Sequence, residues 1–257
     1  MLIIGQEKVK TELNFIIKEI EKGGNFNIAL RAPSGYGKTS FLFICMNYLS
    51  WNNCFYTLGD TLDNEFSVDL QKRFIFIDEA HLIKNPEFLY PIMDSGNYSI
   101  FLATNEGALS EPLLNRCISL IFSSYSVEEL EMMVKNYLRN FLLSPEIITK
   151  ISSLYDNPRR IKKLCDRLSY IFRNLFVPIS IPELDRILEV INIDESGLNP
   201  LERRYLSFIE RIGRASLSTI SLGTGIERNM VLTEIEPHLL YLGKIKITSR
   251  GREICQS

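Results

Sequence analysis

The chain has 257 residues, 46% hydrophobic and 23% charged, which is the balance of a folded globular protein rather than a disordered one. Its formal net charge of −2 excludes a polybasic protein that coats nucleic acid by charge alone, but it allows a local basic face. No apolar run approaches the roughly 18 residues that span a bilayer. Five cysteines, an odd number without a CxxC pair, together with only two histidines, argue against a disulfide framework or a zinc site. We therefore expect a cytoplasmic protein with no membrane association.

The first part of the chain alternates between two kinds of apolar pattern. Val9, Leu13 and Ile17 recur at helical spacing, whereas the runs around Phe76 and Phe101 are short, apolar and β-prone. The predicted elements are a helix at residues 6–22, a strand at 27–30, a helix at 39–49, and strands at 73–77 and 99–103. Strands that alternate with helices predict a parallel sheet flanked by helices. An α/β domain over residues 1–124 is therefore expected.

The pattern changes to helices alone from about Ser126. The predicted helices of this all-α segment, residues 125–193, cover residues 127–141, 145–155, 158–172 and 181–191. A turn-rich segment at residues 194–200 marks a second boundary. Beyond it, helices are predicted at residues 201–212, 217–222 and 227–240, followed by an alternating strand at 244–248. Three helices and a short ribbon predict a winged helix, so residues 194–257 are expected to form a winged-helix domain.

Residues 32–39 read APSGYGKT between a predicted strand and a predicted helix. This is the phosphate-binding pattern GxxxxGK[ST], except that Ala32 replaces the first glycine. Glycines let backbone N–H groups turn towards phosphates, and the helix that follows presents its N-terminus to the same anion. Lys38 is expected to reach the β- and γ-phosphates, and the Thr39 hydroxyl to ligate magnesium. The residues predicted to line this nucleotide site are Gly35, Tyr36, Gly37, Lys38, Thr39 and Ser40.

An acidic pair, Asp78 and Glu79, ends the buried strand RFIFI. A carboxylate at this place suits a magnesium contact, and the adjacent one suits a base that polarises the attacking water. His81 is expected to be a loop residue rather than a catalytic one. At the end of the next strand, Asn105 can hold the hydrolytic water. The sequence therefore predicts a Mg²⁺-dependent ATP site at one edge of the sheet.

These motifs resemble those of the AAA+ ATPases, and most closely the RuvB family of Holliday-junction branch-migration motors. The strings APSGYGKTS and FIFIDEAH are similar to the Walker A and Walker B motifs, and ATNEG with EPLLNRC to sensor 1 and the arginine-finger segment. NPRRIKKLCDRL resembles sensor 2 on a helical lid, and LERRYLSFIERIG and IEPHLLYLGKIKITSRGR resemble the RuvB winged helix. The resemblance covers nearly the whole chain. It implies an ATPase that moves DNA in recombination, repair or mobile-element replication.

The resemblance also implies roles for single residues. Ile4 would begin the nucleotide pocket, Asn105 would be sensor 1, and Arg159 would be sensor 2. Arg116 would be the finger given to the nucleotide of a neighbouring subunit, in a homo-oligomer that the family predicts to be a hexameric ring.

One departure concerns the partner protein. The RuvB family carries a β-hairpin between Walker B and sensor 1 that grips RuvA, whereas here residues 89–94 lead almost directly through residues 95–98 into the sensor strand. The hairpin has no room, so we expect that RuvA does not couple to this chain.

Other functions remain open from sequence alone. DEAH is close to a motif of the DEAH helicases, but such enzymes need two nucleotide-binding lobes and only one phosphate loop is present. An ATP-controlled DNA-binding switch, similar to replication initiators, or a clamp-loader-like remodeller would also join an AAA+ core to a winged helix. A motor should show strong DNA-stimulated hydrolysis, whereas a switch should hydrolyse slowly.

The C-terminal ribbon concentrates positive charge in a chain that is negative overall. Residues 244–252 contain no acid, and their cations are Lys244, Lys246, Arg250 and Arg252. The alternation Lys-Ile-Lys-Ile predicts a strand that buries both isoleucines and exposes both lysines. Gly251 is expected to let the backbone approach a phosphate closely. We therefore predict that the four cations contact the DNA backbone with little sequence preference.

Overall fold

In a computed structural model the polypeptide divides into two units, Met1–Tyr125 and Ser126–Ser257. The structure describes residues 3–175 and 179–255, and of Phe66 the backbone alone. The predicted domain limits at residues 1 and 257 lie outside these described residues. No helix within the described ranges is long and apolar enough to cross a membrane.

The first unit is built on a parallel sheet. Its helices are α1 (Glu7–Glu21), α2 (Lys38–Tyr48), α3 (Leu89–Asp94) and α4 (Glu111–Leu114), and its strands are β1 (Asn27–Arg31), β2 (Cys54–Leu58), β3 (Phe74–Asp78), β4 (Ser99–Thr104) and β5 (Ile118–Ile121). The strand order is β2-β3-β4-β1-β5, and every neighbouring pair is parallel. The parallel sheet is confirmed. The two edge strands, β2 and β5, were not predicted from the sequence.

The two faces of this sheet are covered by separate apolar clusters. Phe76 and Phe101 lie side by side on one face with α1 and α2, and their rings stack with centroids 4.5 Å apart. Ile75 and Ile77 alternate to the other face, where they pack with α3. Because both faces are buried, β3 and β4 are apolar at nearly every position, as parallel strands usually are.

The carboxyl ends of the central strands place the polar motifs together. Arg31 at the end of β1 pairs in register with Thr104 at the end of β4, and Asp78 is the last residue of β3. Parallel strands end at the same edge of a sheet, so the loop after β1 and the residues after β3 and β4 meet there. This edge carries the candidate phosphate site.

The second unit is helical apart from a small ribbon. Its elements are α5 (Val127–Tyr137), α6 (Pro145–Ser153), α7 (Pro158–Phe172), α8 (Ile181–Val190), α9 (Pro200–Ile212), β6 (Arg214–Ala215), α10 (Leu217–Thr224), α11 (Arg228–Met230), a π-helical segment (Val231–Ile235), α12 (Glu236–Tyr241), β7 (Ile245–Thr248) and β8 (Gly251–Ile254). Capping boxes begin α5 at Ser126 and α9 at Asn199, where the side chain and the third helical residue satisfy each other's backbone N–H groups. The predicted helix at residues 227–240 contains the π-helical turn.

The ribbon is a three-stranded antiparallel sheet in the order β6-β8-β7. Ile245 is buried against α9 and α12, but Ile247 is 46% exposed, so the prediction that both isoleucines are buried was wrong. Only the start of β7, at Ile245, packs into the apolar core of the winged helix, and the rest of the strand, which includes Ile247, is exposed. Gly251 has φ +131°, and a Cβ there would lie 2.6 Å from the Ala215 carbonyl oxygen. Any side chain at position 251 would clash with β6, so this position requires glycine.

Candidate functional site

The phosphate-binding loop connects β1 to α2 with two glycines in left-handed conformations. Gly35 has φ 87° and Gly37 has φ 94°, and α2 begins at the next residue, Lys38. This geometry turns backbone N–H groups inward and aims the helix N-terminus at the loop. Ala32, the departure from the motif, is fully buried and uses its backbone to pair with Thr104 and Lys38. The loop is thus built for an anion despite Ala32.

Lys38 is buried, and its ammonium group lies among oxygen acceptors. Nζ donates to the Ala32 carbonyl at 2.8 Å, to the Pro33 carbonyl at 3.1 Å and to Asn105 Oδ1 at 3.1 Å. An ammonium donates in three directions from a flexible stem. Phosphate oxygens that enter the loop could therefore replace these acceptors.

Thr39 and Asp78 place two hard oxygen ligands next to the loop. The Thr39 hydroxyl donates to Asp78 Oδ2 at 2.6 Å, and Asp78 Oδ1 accepts from the Glu79 backbone N–H at 2.9 Å. Hydroxyl and carboxylate oxygens are the ligand types that Mg²⁺ prefers, so this pair fits the predicted ion. Tyr56 on β2 donates to the same Asp78 oxygen at 3.4 Å. Burial and the adjacent Asp78 charge raise the pKa of Tyr56, which keeps it protonated.

Glu79, His81 and Asn105 continue the polar chain from Lys38. His81 Nε2 lies 3.1 Å from Asn105 Nδ2 and 3.5 Å from Glu79 Oε2. The structure thus brings together Lys38, Glu79 and Asn105, which the sequence predicted as functional. It adds His81, which was expected to be only a loop residue.

Gly59 is a further residue of this site that the sequence did not reveal. It follows β2, and a Cβ at this position would lie 2.4 Å from the Glu79 carbonyl oxygen. Glu79 itself has φ 50°, a left-handed conformation that is uncommon for a non-glycine residue. Close packing of Gly59 therefore helps hold the backbone turn that presents Glu79. No sequence signal marks it, because β2 itself was not predicted.

Arg116 lies away from this chain of contacts, on a well-defined support of its own. Nε and Nη2 donate to the Asp94 carboxylate at 2.9 and 3.1 Å, and Nη1 donates to the Pro112 carbonyl at 2.9 Å. The guanidinium also lies 4.5 Å from the Tyr90 ring centroid. The hydrogen bond to Asp94 raises the pKa of Arg116, so the side chain is a fixed cation at the surface.

The four predicted DNA-contacting cations lie on the β6–β8 ribbon, the wing of the winged helix, and they fall into two groups. Lys244 and Arg250 are exposed, and within residues 3–175 and 179–255 neither forms an ion pair; Lys246 is exposed and lies 3.4 Å from Glu253. Arg252 instead points inward, where Nε donates to Glu236 Oε1 at 2.8 Å and Nη2 to Oε2 at 3.2 Å. The Arg252 guanidinium is thus committed to a buried carboxylate. Arg252 is therefore the least available of the four predicted cations for contact with a phosphate.

Comparison with known proteins supports the assignment of the first unit to an ATPase core and of the C-terminal part to a winged helix. The RuvB C-terminal winged helix domain family matches residues 195–257. The Holliday junction branch migration complex subunit RuvB of Thermotoga maritima is 26% identical over 98% of this chain and 87% of that protein, and that of Orientia tsutsugamushi is 28% identical over 98% and 89%. The solved structure of the Thermotoga maritima RuvB Holliday junction branch migration motor matches with a TM-score of 0.84 and 27% identity, over 98% of this chain and 93% of that one. The chain is a RuvB-like AAA+ ATPase. The fold predicted from the sequence, a parallel-sheet core with a C-terminal winged helix, is confirmed.

A fold likeness also extends to replication initiators. Domain III of the Thermotoga maritima replication initiation protein DnaA matches with a TM-score of 0.56 and 16% identity over 74% of this chain. At this identity the match concerns the fold alone. The winged-helix family match is what separates the RuvB-like chain from other AAA+ folds.

Arg159 and Arg160 of the RuvB-like chain occupy adjacent positions with different surroundings. Arg159 is exposed in the first turn of α7, and its backbone N–H donates to the capping Asn157. Arg160 donates from Nη1 to Glu202 Oε1 at 2.8 Å, across to α9. The predicted sensor 2 residue thus adjoins an arginine that joins the lid to the winged helix.

Glu202 is the centre of a junction between the predicted helical lid (α5–α8) and helices α9 and α12 of the winged helix, which we call the lid–wing junction. The sequence did not predict it. It is fully buried, and it accepts from Arg160 and from His238 Nδ1, the latter at 2.8 Å. His238 Nε2 donates to the Leu154 carbonyl at 3.0 Å. Burial raises the pKa of Glu202, but the His238 hydrogen bond and the Arg160 charge outweigh burial and leave it below its ordinary value. Glu202 is therefore ionised in the folded protein.

Proposed function

We propose that this chain is an ATP-driven motor that moves duplex or branched DNA, in the manner of the RuvB subunits it resembles. The observation that carries the proposal is the linked arrangement of Lys38, Asn105, Thr39 and Asp78 at one edge of the sheet, in a chain that ends in a RuvB-type winged helix. Such an arrangement binds and hydrolyses nucleotides, and a winged helix is a DNA-binding element.

In this proposal the loop residues and the strand ends divide the work of hydrolysis. The backbone N–H groups of residues 35–40 and the Lys38 ammonium bind the phosphates. Thr39 and Asp78 would hold Mg²⁺, and the bound ion would supply positive charge that offsets the charge of the phosphates. Glu79 accepts a proton from the attacking water at its carboxylate, and Asn105 orients that water.

A ring of subunits completes the proposed site. Arg116 is held by Asp94 and Tyr90 on the surface, where it can be offered to the nucleotide of a neighbouring copy. A fixed guanidinium is suited to stabilising charge that develops on the transferred phosphoryl group. Arg159 is proposed as sensor 2 and Ile4 as the start of the nucleotide pocket. The family resemblance suggests six subunits.

The DNA side of the proposal rests on Lys244, Lys246 and Arg250. They are exposed on the ribbon, and phosphate contacts need only accessible cations. We propose that they contact the backbone of DNA with little sequence preference. The free state of all five cysteines suits a reducing cytoplasm.

Coupling to a RuvA protein is not part of this proposal. Only residues 95–98 separate α3 from β4, which leaves no length for the hairpin described above. RuvA is accordingly expected to leave ATP hydrolysis and branch migration by this chain unchanged.

Glu79→Gln tests the proposal most directly. The substitution keeps the size of the side chain but removes the carboxylate that accepts the proton, so hydrolysis should fall by roughly 100-fold or more while ATP affinity is retained. Hydrolysis should be measured with and without a four-way DNA junction, beside fluorescent-nucleotide binding. The exposed Glu87→Gln is the matched control, because it changes the same charge nearby.

Two results would refute the proposal in different ways. Parental hydrolysis by Glu79→Gln would remove Glu79 from the base role. Slow wild-type hydrolysis that neither linear duplex nor a junction accelerates would support a DNA-binding switch instead of a motor.

A further inference from the structure

His81 lies at the centre of the polar chain in the phosphate site, and no role has been assigned to it so far. It belongs to the short turn Ala80–Leu82 directly after β3, and its side chain is 16% exposed. Nε2 faces both Asn105 and Glu79, whereas Nδ1 is buried without a hydrogen-bond partner in the described part of the chain. Because Nδ1 has no partner there, the contacts of Nε2 alone decide which tautomer of the ring is present.

The orientation of the Asn105 amide follows from its other neighbour. Lys38 Nζ is a donor only, and it lies 3.1 Å from Asn105 Oδ1, so the amide oxygen must face Lys38. Rotating the amide by half a turn would place its NH₂ group against the ammonium, two donors with no acceptor between them. Nδ2, also a donor only, therefore faces His81.

The orientation of the Asn105 amide determines the tautomer of His81. Because Asn105 Nδ2 donates, His81 Nε2 must accept, and the neutral ring then carries its proton on Nδ1. Nε2 has one lone pair, and Asn105 uses it. Glu79 Oε2, at 3.5 Å, has only lone pairs to offer this nitrogen and forms no hydrogen bond with it. The Glu79 carboxylate is thus left unbonded by His81.

We propose that His81 is a positioning residue that fixes the Asn105 amide so that its carbonyl oxygen, an acceptor, faces Lys38 and the water that attacks the phosphate. In the nucleotide-free protein that oxygen accepts from Lys38. When phosphates draw the Lys38 ammonium away, the same oxygen accepts an O–H of the attacking water, while the second O–H of that water faces Glu79. This inference rests on the proposed hydrolysis, since it assigns the hydrogen-bond direction within that site.

The first test examines the protein without nucleotide. The chain has only two histidines, so a long-range ¹⁵N–¹H correlation spectrum of histidine-labelled protein contains two ring systems, and His81→Gln identifies which belongs to His81. At slightly alkaline pH we expect His81 to carry its proton on Nδ1 and to leave Nε2 unprotonated. A proton on Nε2 would overturn the proposal. This readout does not depend on ATPase activity, so it distinguishes failure here from failure of the proposed function.

The second test separates hydrogen bonding from packing. His81→Leu removes the acceptor, whereas the amide of His81→Gln can place a carbonyl oxygen near the position of Nε2. We expect His81→Leu to lower kcat by roughly 10- to 100-fold, because a freed Asn105 amide misplaces the water, with ATP affinity changed less than about threefold. His81→Gln should recover most of the loss.

An Asn105→Leu background gives the decisive comparison. If His81 acts through Asn105, His81→Leu should have little additional effect on kcat once Asn105 is removed. Independent, multiplicative losses in the double variant would overturn the proposal, as would equal losses in His81→Leu and His81→Gln.

Discussion

The two histidines of this chain lie in polar networks that differ in completeness. In the phosphate site, His81 is 16% exposed, one ring nitrogen has no partner in the described residues, and the other nitrogen serves Asn105. In the lid–wing junction, the His238 side chain is 1% exposed, and both ring nitrogens have partners: Nδ1 lies 2.8 Å from Glu202 Oε1 and Nε2 lies 3.0 Å from the Leu154 carbonyl oxygen. Each ring nitrogen of His238 therefore has a partner within hydrogen-bond distance.

This difference shows what each network is suited to do. A buried polar network with every member satisfied holds its elements in one arrangement, and loss of a member leaves a buried charge unpaired. A network whose acceptors can be replaced by ligand oxygens is suited to exchange partners during a reaction. The junction therefore holds the lid helices against the winged helix through the contacts of Glu202 and His238, whereas the acceptors of Lys38 in the phosphate site can be replaced by nucleotide oxygens.

The largest effect should come from breaking the junction at its centre. Glu202→Ala leaves the Arg160 charge and the buried His238 ring without their common carboxylate, which should destabilise the second unit by about 3–5 kcal/mol. Hydrogen exchange of α7, α9 and α12 in the full chain measures this loss locally. Glu210→Ala, exposed on the same helix, is the control and should change stability by less than about 0.5 kcal/mol. Equal effects of the two substitutions would remove the contrast between the junction and an ordinary surface.

A smaller effect separates the two arginines of the wing. Arg252→Ala leaves Glu236 buried, with the Tyr205 hydroxyl as its remaining partner among the described residues, so it should destabilise the winged helix by about 1–3 kcal/mol. Arg250→Ala should leave stability unchanged, but it should weaken DNA binding and lower the slope of log affinity against log salt by about one unit. Thermal unfolding and DNA titrations at several salt concentrations test both. A stable Arg252→Ala protein with weakened DNA binding would return Arg252 to the phosphate-contacting group.

The smallest effect is the pH dependence of the junction. The pKa of Glu202 is lowered from its ordinary value of 4.5 in the folded protein, so its contribution to stability is present above that pH and is lost as pH falls through the folded value. Glu202→Gln should therefore flatten the fall in melting temperature below about pH 4.5.

Asp156 provides a control of opposite sign for that measurement. Burial raises the pKa of Asp156, so the folded protein binds a proton there more readily than the unfolded chain as pH falls. Asp156→Asn removes this opposing contribution, so the melting temperature of the variant should fall more steeply with decreasing pH than that of the wild type. Parallel acid profiles for wild type and Glu202→Gln would show that Glu202 does not set the acid limit of the junction.

Sequence patterns predicted the central elements well and the edges poorly. Strands β3 and β4 are buried on both faces, so their apolar runs were evident, and α7 begins and ends as its periodicity predicted. The edge strands β2 and β5 consist mostly of half-buried or exposed residues, which weakens any apolar pattern. The π-helical turn at Val231–Ile235 has the composition of an ordinary helix and could not be distinguished from one.

The residues of the candidate site also differ in how well the sequence predicted them. Lys38, Thr39, Asp78 and Asn105 occupy motif positions whose chemistry follows from local order along the chain: strand, glycine loop, helix, and a carboxylate after a buried strand. Gly59 and Asp94 belong to no such motif. They matter because of what the fold places next to them, the Glu79 backbone for one and the Arg116 guanidinium for the other.

By itself, then, the sequence determined the parallel-sheet architecture, the phosphate loop and its acidic partner, since these depend on hydrophobic period and on residue types at short spacing. Only the tertiary structure decided how the two histidines and the paired arginines are used. Arg159 and Arg160 are neighbours in sequence, as Arg250 and Arg252 nearly are, but one of each pair meets a buried carboxylate from a distant helix. Local patterns specify which groups a segment offers, whereas the partner that desolvates a charge comes from a segment far along the chain.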